Sequence, residues 1–337
     1  MEFYIQIVSF AVLCQHVLAV LQADHLCNSP EFAQESSTSL LQANVQKRVA
    51  PTQLLKDVAP LKFMHTPKSG TSFSNVIAHT PGLCPGLPDT VALDEKNFGE
   101  EYDAGFWMIC PELCDSQLFT CNPPLWKHEL FGGELINPYR GHLVTMVRNP
   151  RQRIASAYND PGFDFEGDVS EPGTRYRLHD IFGNPMKHEQ TIEEFTPWWS
   201  GLVTTQLTRT DWMAYTHGIN LTKQDSQEAI RRLQQDFVFV GILEQWELSM
   251  CLFRTMFGGN CVSSDFMDTR PGQNGRSGEK LYDTGNVSDE FDDVVYQAAL
   301  EIFKGNLLKY NVTEKGCARN CYEPAERSSF SLDKLLR

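Results

Sequence analysis

Phe63-Met64-His65-Thr66-Pro67-Lys68-Ser69-Gly70-Thr71-Ser72-Phe73 is a short apolar lead-in followed by a small-residue loop with one lysine at its mouth. It reads as a strand turning sharply into a helix. Leu61, Phe63 and Met64 can end a buried strand, whereas Ser69, Gly70, Thr71 and Ser72 carry almost no bulk. Successive backbone N–H groups can then converge on an anion at the N-terminus of the next helix, with Lys68 adding a point charge. An ordinary surface turn with a solvated lysine is the competing reading, and the rest of the chain has to decide between them.

A second apolar run, His142-Leu143-Val144-Thr145-Met146-Val147, suits a strand covered on both faces. It ends at Arg148. Asn149 is a good N-cap and Pro150 a good first helical residue, so Arg151 to Tyr158 is expected to be a helix with Ile154, Ala155 and Ala157 turned inward. Phe237 to Ile242 reads as a third buried strand, Glu244 to Phe257 as a helix closed by Gly258-Gly259, and Asp289 to Leu308 as the last long helix. Shorter helices are expected after Phe73, over Thr191–Trp199 and over Gln227–Gln235. Strands alternating with helices across long connections predict a parallel α/β sheet. In such a sheet both the Lys68 loop and the Arg148 turn sit at carboxyl ends of strands, where ligands bind. A guanidinium at a strand tip and a hydroxyl, Ser156, two turns into the helix suit a second phosphate.

The nucleotide loop G-x-x-x-x-G-K-[ST] is missing, because the lysine precedes the glycine, and this disfavours an enzyme that uses ATP or GTP. Pro67-Lys68-Ser69-Gly70-Thr71-Ser72 instead resembles the 5′-phosphosulfate loop of sulfotransferases. Arg148-Asn149-Pro150-Arg151-Gln152-Arg153-Ile154-Ala155-Ser156-Ala157-Tyr158 resembles their 3′-phosphate motif, R-[DN]-P-x-x-R-x-x-S-x-Y. Phe237 to Glu244 is similar to a strand-helix segment of Golgi carbohydrate sulfotransferases, including the heparan sulfate and uronyl 2-O-type enzymes. The likeness runs from about Leu61 to Tyr310.

That resemblance implies a P-loop-like parallel sheet flanked by helices, the sulfotransferase fold, while the Pro, Gly and Cys of roughly 83–138 predict an irregular disulfide-rich insert within it. It also implies a donor, 3′-phosphoadenosine-5′-phosphosulfate, bound by Lys68, Ser69, Gly70, Thr71, Ser72, Arg148 and Ser156 with no metal. Sulfuryl transfer needs in-line geometry and charge stabilisation more than covalent help. Lys68 is placed to neutralise charge growing on the bridging oxygen. His128 is the expected base, at the place where related enzymes carry a catalytic histidine, although Lys127 stands before it where they have glycine. Glu129 is the other candidate base. A basic Gly-rich loop, Arg270 to Gly278, is expected over the nucleotide. The competing classes are a catalytically silent nucleotide- or glycan-binding protein on the same fold, and a nucleoside-phosphate kinase.

Composition sets the compartment. The 337 residues carry 29 Lys+Arg against 43 Asp+Glu, a formal net charge of −14, which should repel nucleic acid and anionic membranes. The resemblance, not the charge, implies the partner, a carbohydrate or other hydroxyl acceptor, and a membrane is expected to be met only through an N-terminal anchor. Residues 1–23 read as a signal peptide or signal anchor, 24–60 as a Ser/Gln/Ala-rich stem or lead-in, and 61–337 as the sulfotransferase domain. Ten cysteines favour disulfides over zinc, the sequence-near candidates being Cys110 with Cys114, Cys251 with Cys261, and Cys317 with Cys321. Sequons at Asn220, Asn286 and Asn311 agree with the secretory pathway, in the Golgi or secreted.

Overall fold

The computed structural model describes residues 53–59, 61–84, 87–92, 128–159, 191–210, 221–267, 269 and 282–325. Three strands, β1 (Lys62–Met64), β2 (Leu143–Val147) and β3 (Phe237–Ile242), form a parallel sheet in the order β1-β2-β3. All of β1 and β2 is buried, as their nearly continuous apolar sequences require. Thr145, the polar exception in β2, donates its hydroxyl to the Met64 carbonyl at 2.9 Å and so bridges the two strands. Between β2 and β3 the register shifts: Leu143 faces Phe237 but Val144 faces Phe239, leaving Val238 as the extra residue.

Helices flank this sheet. In chain order they are α1 (Gln53–Val58), α2 (Phe73–Ala78), α3 (Pro150–Tyr158), α4 (Ile192–Trp199), α5 (Leu202–Thr208), α6 (Lys223–Gln235), α7 (Trp246–Phe257), α8 (Glu290–Lys309) and α9 (Glu314–Cys317). The α3 cap follows the expected chemistry, with the Asn149 side chain accepting from the backbone N–H groups of Arg151 and Gln152 ahead of Pro150. Phe73 ties the opening loop to the core. Its ring stacks on Phe239 at 5.5 Å and meets Phe253 edge-on at 5.1 Å, so the residue that ends the quoted stretch is locked to β3 and α7.

Three helices depart from expectation. The lead-in expected from 24 to 60 includes α1, whose Leu55 and Val58 belong to the main core. α6 starts at Lys223, four residues before Gln227, because Thr222 and Asp225 form a capping box. α5 was not expected, since Thr and Val are indifferent helix formers. Its first turn is held from far along the chain: Gly201 N donates to Asp289, and Val203 N and Thr204 N donate to Asp292.

The disulfides also differ from the near pairs. Cys251 joins Cys317 and Cys261 joins Cys321, with Cα separations of 5.8 and 5.0 Å. Cys317 and Cys321 are one helical turn apart at the start of the C-terminal segment, so their Cβ atoms point the same way and reach α7 and the chain after it. Cys84 is disulfide-bonded as well, while Cys110 and Cys114 lie outside the described residues. These bridges are compatible with a secreted or lumenal protein. Residues 1–23, Asn220 and most of the 83–138 insert also lie outside the described residues. Asn286 and Asn311 are exposed. Among the described residues no helix is long and apolar enough to cross a membrane, and no group of His, Cys, Asp and Glu could hold a metal ion.

Candidate functional site

The three strands end on one side of the sheet, and their following turns meet there. After β1, Lys68 and Gly70 both take left-handed backbone angles, with φ of 61° and 93°. For Gly70 this is free of cost; for Lys68 it is a strain on the order of 1–3 kcal/mol that the surroundings must hold. The holding group comes from the next strand tip. Arg148 Nη1 donates to the Lys68 carbonyl at 3.0 Å, fastening the second turn to the first.

Arg148 is only 8 % exposed, yet a main-chain carbonyl is the single hydrogen-bond acceptor it meets among the described residues. Burial pulls its guanidinium below the ordinary arginine value, and Glu244 opposes that pull. The Tyr282 ring lies 5.8 Å from its guanidinium carbon. A buried cation that no carboxylate pairs directly among the described residues is an electrostatic invitation to an anion. In the first turn, the backbone N–H groups of Gly70, Thr71 and Ser72 meet no acceptor among the described residues. With six residues, α2 adds little dipole; the loop's own donors and Arg148 make the site.

The third tip supports the other two. Glu244, just after β3, accepts from Asn149 N at 2.9 Å and from the Tyr296 hydroxyl at 3.1 Å. Burial and then Glu244 push the Tyr296 phenol up, which keeps it a neutral donor. Gly70 packs so closely against this region that an added Cβ would lie 3.0 Å from Leu243 Cδ1 and 3.3 Å from Trp246. Gly70→Ala is therefore expected to cost about 1–3 kcal/mol, through both left-handed strain and crowding. Urea unfolding measures this, and an unchanged midpoint would remove the close-packing account.

Two further contacts bracket the site. Thr269 N donates to Ser72 Oγ at 3.1 Å, while Tyr282 exchanges two hydrogen bonds with the Gln152 side chain, at 2.8 and 3.0 Å. The chain therefore leaves the first turn at Thr269 and returns beside the second at Tyr282. The expected Arg270 to Gly278 loop lies between them, outside the described residues.

The sequence-derived residues fall as follows. Lys68, Ser69, Gly70, Thr71, Ser72 and Arg148 come together in one pair of turns. Ser156 is buried on α3, the helix that follows the Arg148 turn. The His128 ring lies 4.6 Å from that of His65, and His65 Nε2 is 3.0 Å from Thr71 Oγ1, so His128 stands one ring away from the loop. Glu129 is engaged elsewhere, paired to the nearly buried Lys62 at 2.6 Å. Trp199 is core, buried in a second apolar cluster with Phe195 and Leu202.

Sequence reasoning assigned no role to His65, Gln206 or Tyr282. Gln206, fully buried, accepts from the Thr66 hydroxyl and donates to the carbonyls of His65 and Glu129. A fully polar side chain within the short run Leu202–Thr208 was the available signal. The chain matches no family model, no curated protein and no solved structure.

Proposed function

We propose that this chain is a lumenal sulfotransferase of the Golgi or secretory pathway, moving a sulfuryl group in line from 3′-phosphoadenosine-5′-phosphosulfate to a hydroxyl of a carbohydrate. The observation that carries the reading is the bond from buried Arg148 to the Lys68 carbonyl. It joins the two motifs that resemble the 5′-phosphosulfate and 3′-phosphate sites, 80 residues apart in sequence, at neighbouring strand ends. The residues fit such a donor: three N–H groups that meet no acceptor among the described residues, a loop in which a Cβ at Gly70 would crowd Leu243 and Trp246, and a buried guanidinium.

When bound, the donor supplies an activated sulfuryl group whose departure leaves negative charge on a bisphosphate. Gly70, Thr71 and Ser72 would hold its 5′ end, and Arg148 with Ser156 its 3′-phosphate. Lys68 supplies positive charge at the bridging oxygen. His128 takes the proton of the acceptor hydroxyl. The Lys62 ion pair of Glu129 weighs against that carboxylate as the base, since a proton on it would break a short, largely buried pair.

Incubating the protein with radiolabelled donor and a panel of glycans tests this directly. Transfer is expected for wild type, with a loss of about 10²–10⁴-fold in kcat for His128→Ala and a small change for Glu129→Gln. The opposite order would move the base role to Glu129. Tight bisphosphate binding with no transfer to any hydroxyl acceptor would favour a catalytically silent binding protein.

A further inference from the structure

Resting on that reading, we infer that His65 sets the proton polarity of the loop: its Nε2–H donates to Thr71 Oγ1, leaving the Thr71 O–H to donate to the bound anion. A hydroxyl can give one hydrogen bond and accept two, so its direction is decided by its neighbours. The other hydroxyls of the loop are committed within the protein. Ser74 donates to the Thr71 carbonyl, Ser69 leans on the Pro67 carbonyl, and Ser72 accepts from Thr269 N and shares a second hydrogen bond with Thr269 Oγ1 at 3.0 Å. Thr71 Oγ1 meets only His65 Nε2 among the described residues, at 3.0 Å.

The imidazole is built to hold one orientation. His65 is 3 % exposed, stacks on Phe63 at 5.3 Å and packs against His128 at 4.6 Å, while its carbonyl takes a hydrogen bond from Gln206 at 2.8 Å. Were Thr71 to give its proton to this ring, an oxygen lone pair would face the same space as the unpaired N–H groups of Gly70, Thr71 and Ser72. That would repel the anion to which buried Arg148 independently points. With the ring as donor, the Thr71 hydroxyl joins the N–H groups of Gly70, Thr71 and Ser72 as a donor, and the loop favours anions over neutral ligands. His65 is then a positioning residue that acts through Thr71.

Calorimetry with 3′-phosphoadenosine 5′-phosphate tests this on wild type, Thr71→Val, His65→Phe, the double variant and His65→Gln. Thr71→Val, which keeps the shape, is expected to bind about tenfold or more weakly. His65→Phe should lose at least several-fold, and the double variant should bind no more weakly than Thr71→Val alone, because both changes remove one interaction. His65→Gln, whose amide can stand in for Nε2–H, should recover most of the loss. Long-range nitrogen NMR on the wild type should find His65 as the Nε2–H tautomer, a readout independent of how the variants fold. Unchanged binding in His65→Phe, losses that multiply in the double variant, or an Nδ1–H tautomer would overturn the inference and leave the sulfotransferase reading standing. Wild type that binds no bisphosphate would remove that reading and this inference with it.

Discussion

Lys68→Ala should lower sulfuryl transfer by roughly 10²–10³-fold while 3′,5′-bisphosphate binding stays within a few-fold of wild type. The magnitude is that of removing one preorganised group aimed at developing charge. The split between the two measurements follows from the site's construction. On the proposed reading, ground-state affinity comes from the N–H groups of Gly70, Thr71 and Ser72, the Thr71 hydroxyl and Arg148, none of which the substitution removes. Charge on the bridging oxygen, by contrast, grows only as the bond breaks. Alanine keeps a Cβ at a residue with φ of 61°, so the backbone strain is unchanged and the effect reads the side chain rather than the turn. Lys68→Gly separates the two further, relieving strain while also removing charge; it should be as inactive as Lys68→Ala and more stable to urea. Full activity in Lys68→Ala would defeat the mechanism, and equal losses of binding and rate would make Lys68 a simple anion-binding residue.

What the sequence disclosed here was local. β1, β2 and β3 were legible because each is a short apolar run bounded by a turn signal, and α3 because Asn149-Pro150 spells its own start. The two strand-to-helix turns were legible for the same reason, since a strand tip followed by small residues or by Arg-Asn-Pro is a contiguous pattern. What joins them was not. The Arg148 bond to the Lys68 carbonyl spans 80 residues, and the Glu244 bond to Asn149 spans 95. No periodicity encodes a hydrogen bond between loops. α5 was hidden for a kindred reason: its first N–H groups are satisfied by Asp289 and Asp292 from the far end of the chain rather than by a neighbouring cap. Cysteine pairing failed on helical geometry, which sends Cys317 and Cys321 to α7 and its sequel instead of to each other. His65 was read as part of the strand-to-loop passage, and only its contact with Thr71 gives it a chemical role.

Those same two aspartates carry the largest stability prediction. Arg153, fully buried on α3, donates from Nη2 to Asp289 at 3.1 Å, to Asp292 at 2.9 Å and to the Trp199 carbonyl at 3.1 Å. It thus binds α3 to the end of α4 and to the start of α8, while the carboxylates it neutralises cap α5. Its Nε and Nη1 are buried with no acceptor among the described residues, so the cluster already carries a desolvation cost. Arg153→Met keeps most of the volume but strands two carboxylates in the interior, and is expected to lose about 3–5 kcal/mol at neutral pH. The pH dependence has a definite sign. Burial, and then Asp292, push Asp289 up to about 7 from an ordinary 3.8, against the pull of Arg153. A carboxyl raised on folding favours the folded state most below its unfolded value, and that contribution is lost as pH climbs through the folded value. Between about pH 4 and 7 this group therefore lowers stability as pH rises. Asp289→Asn, which cannot ionise, should flatten that slope. Arg153→Met removes the cation that holds Asp289 down, so its deficit should be smaller at pH 5 than at pH 8, as guanidinium unfolding at the two values would measure. An equal deficit at both would mean that Arg153 acts through packing and not through charge.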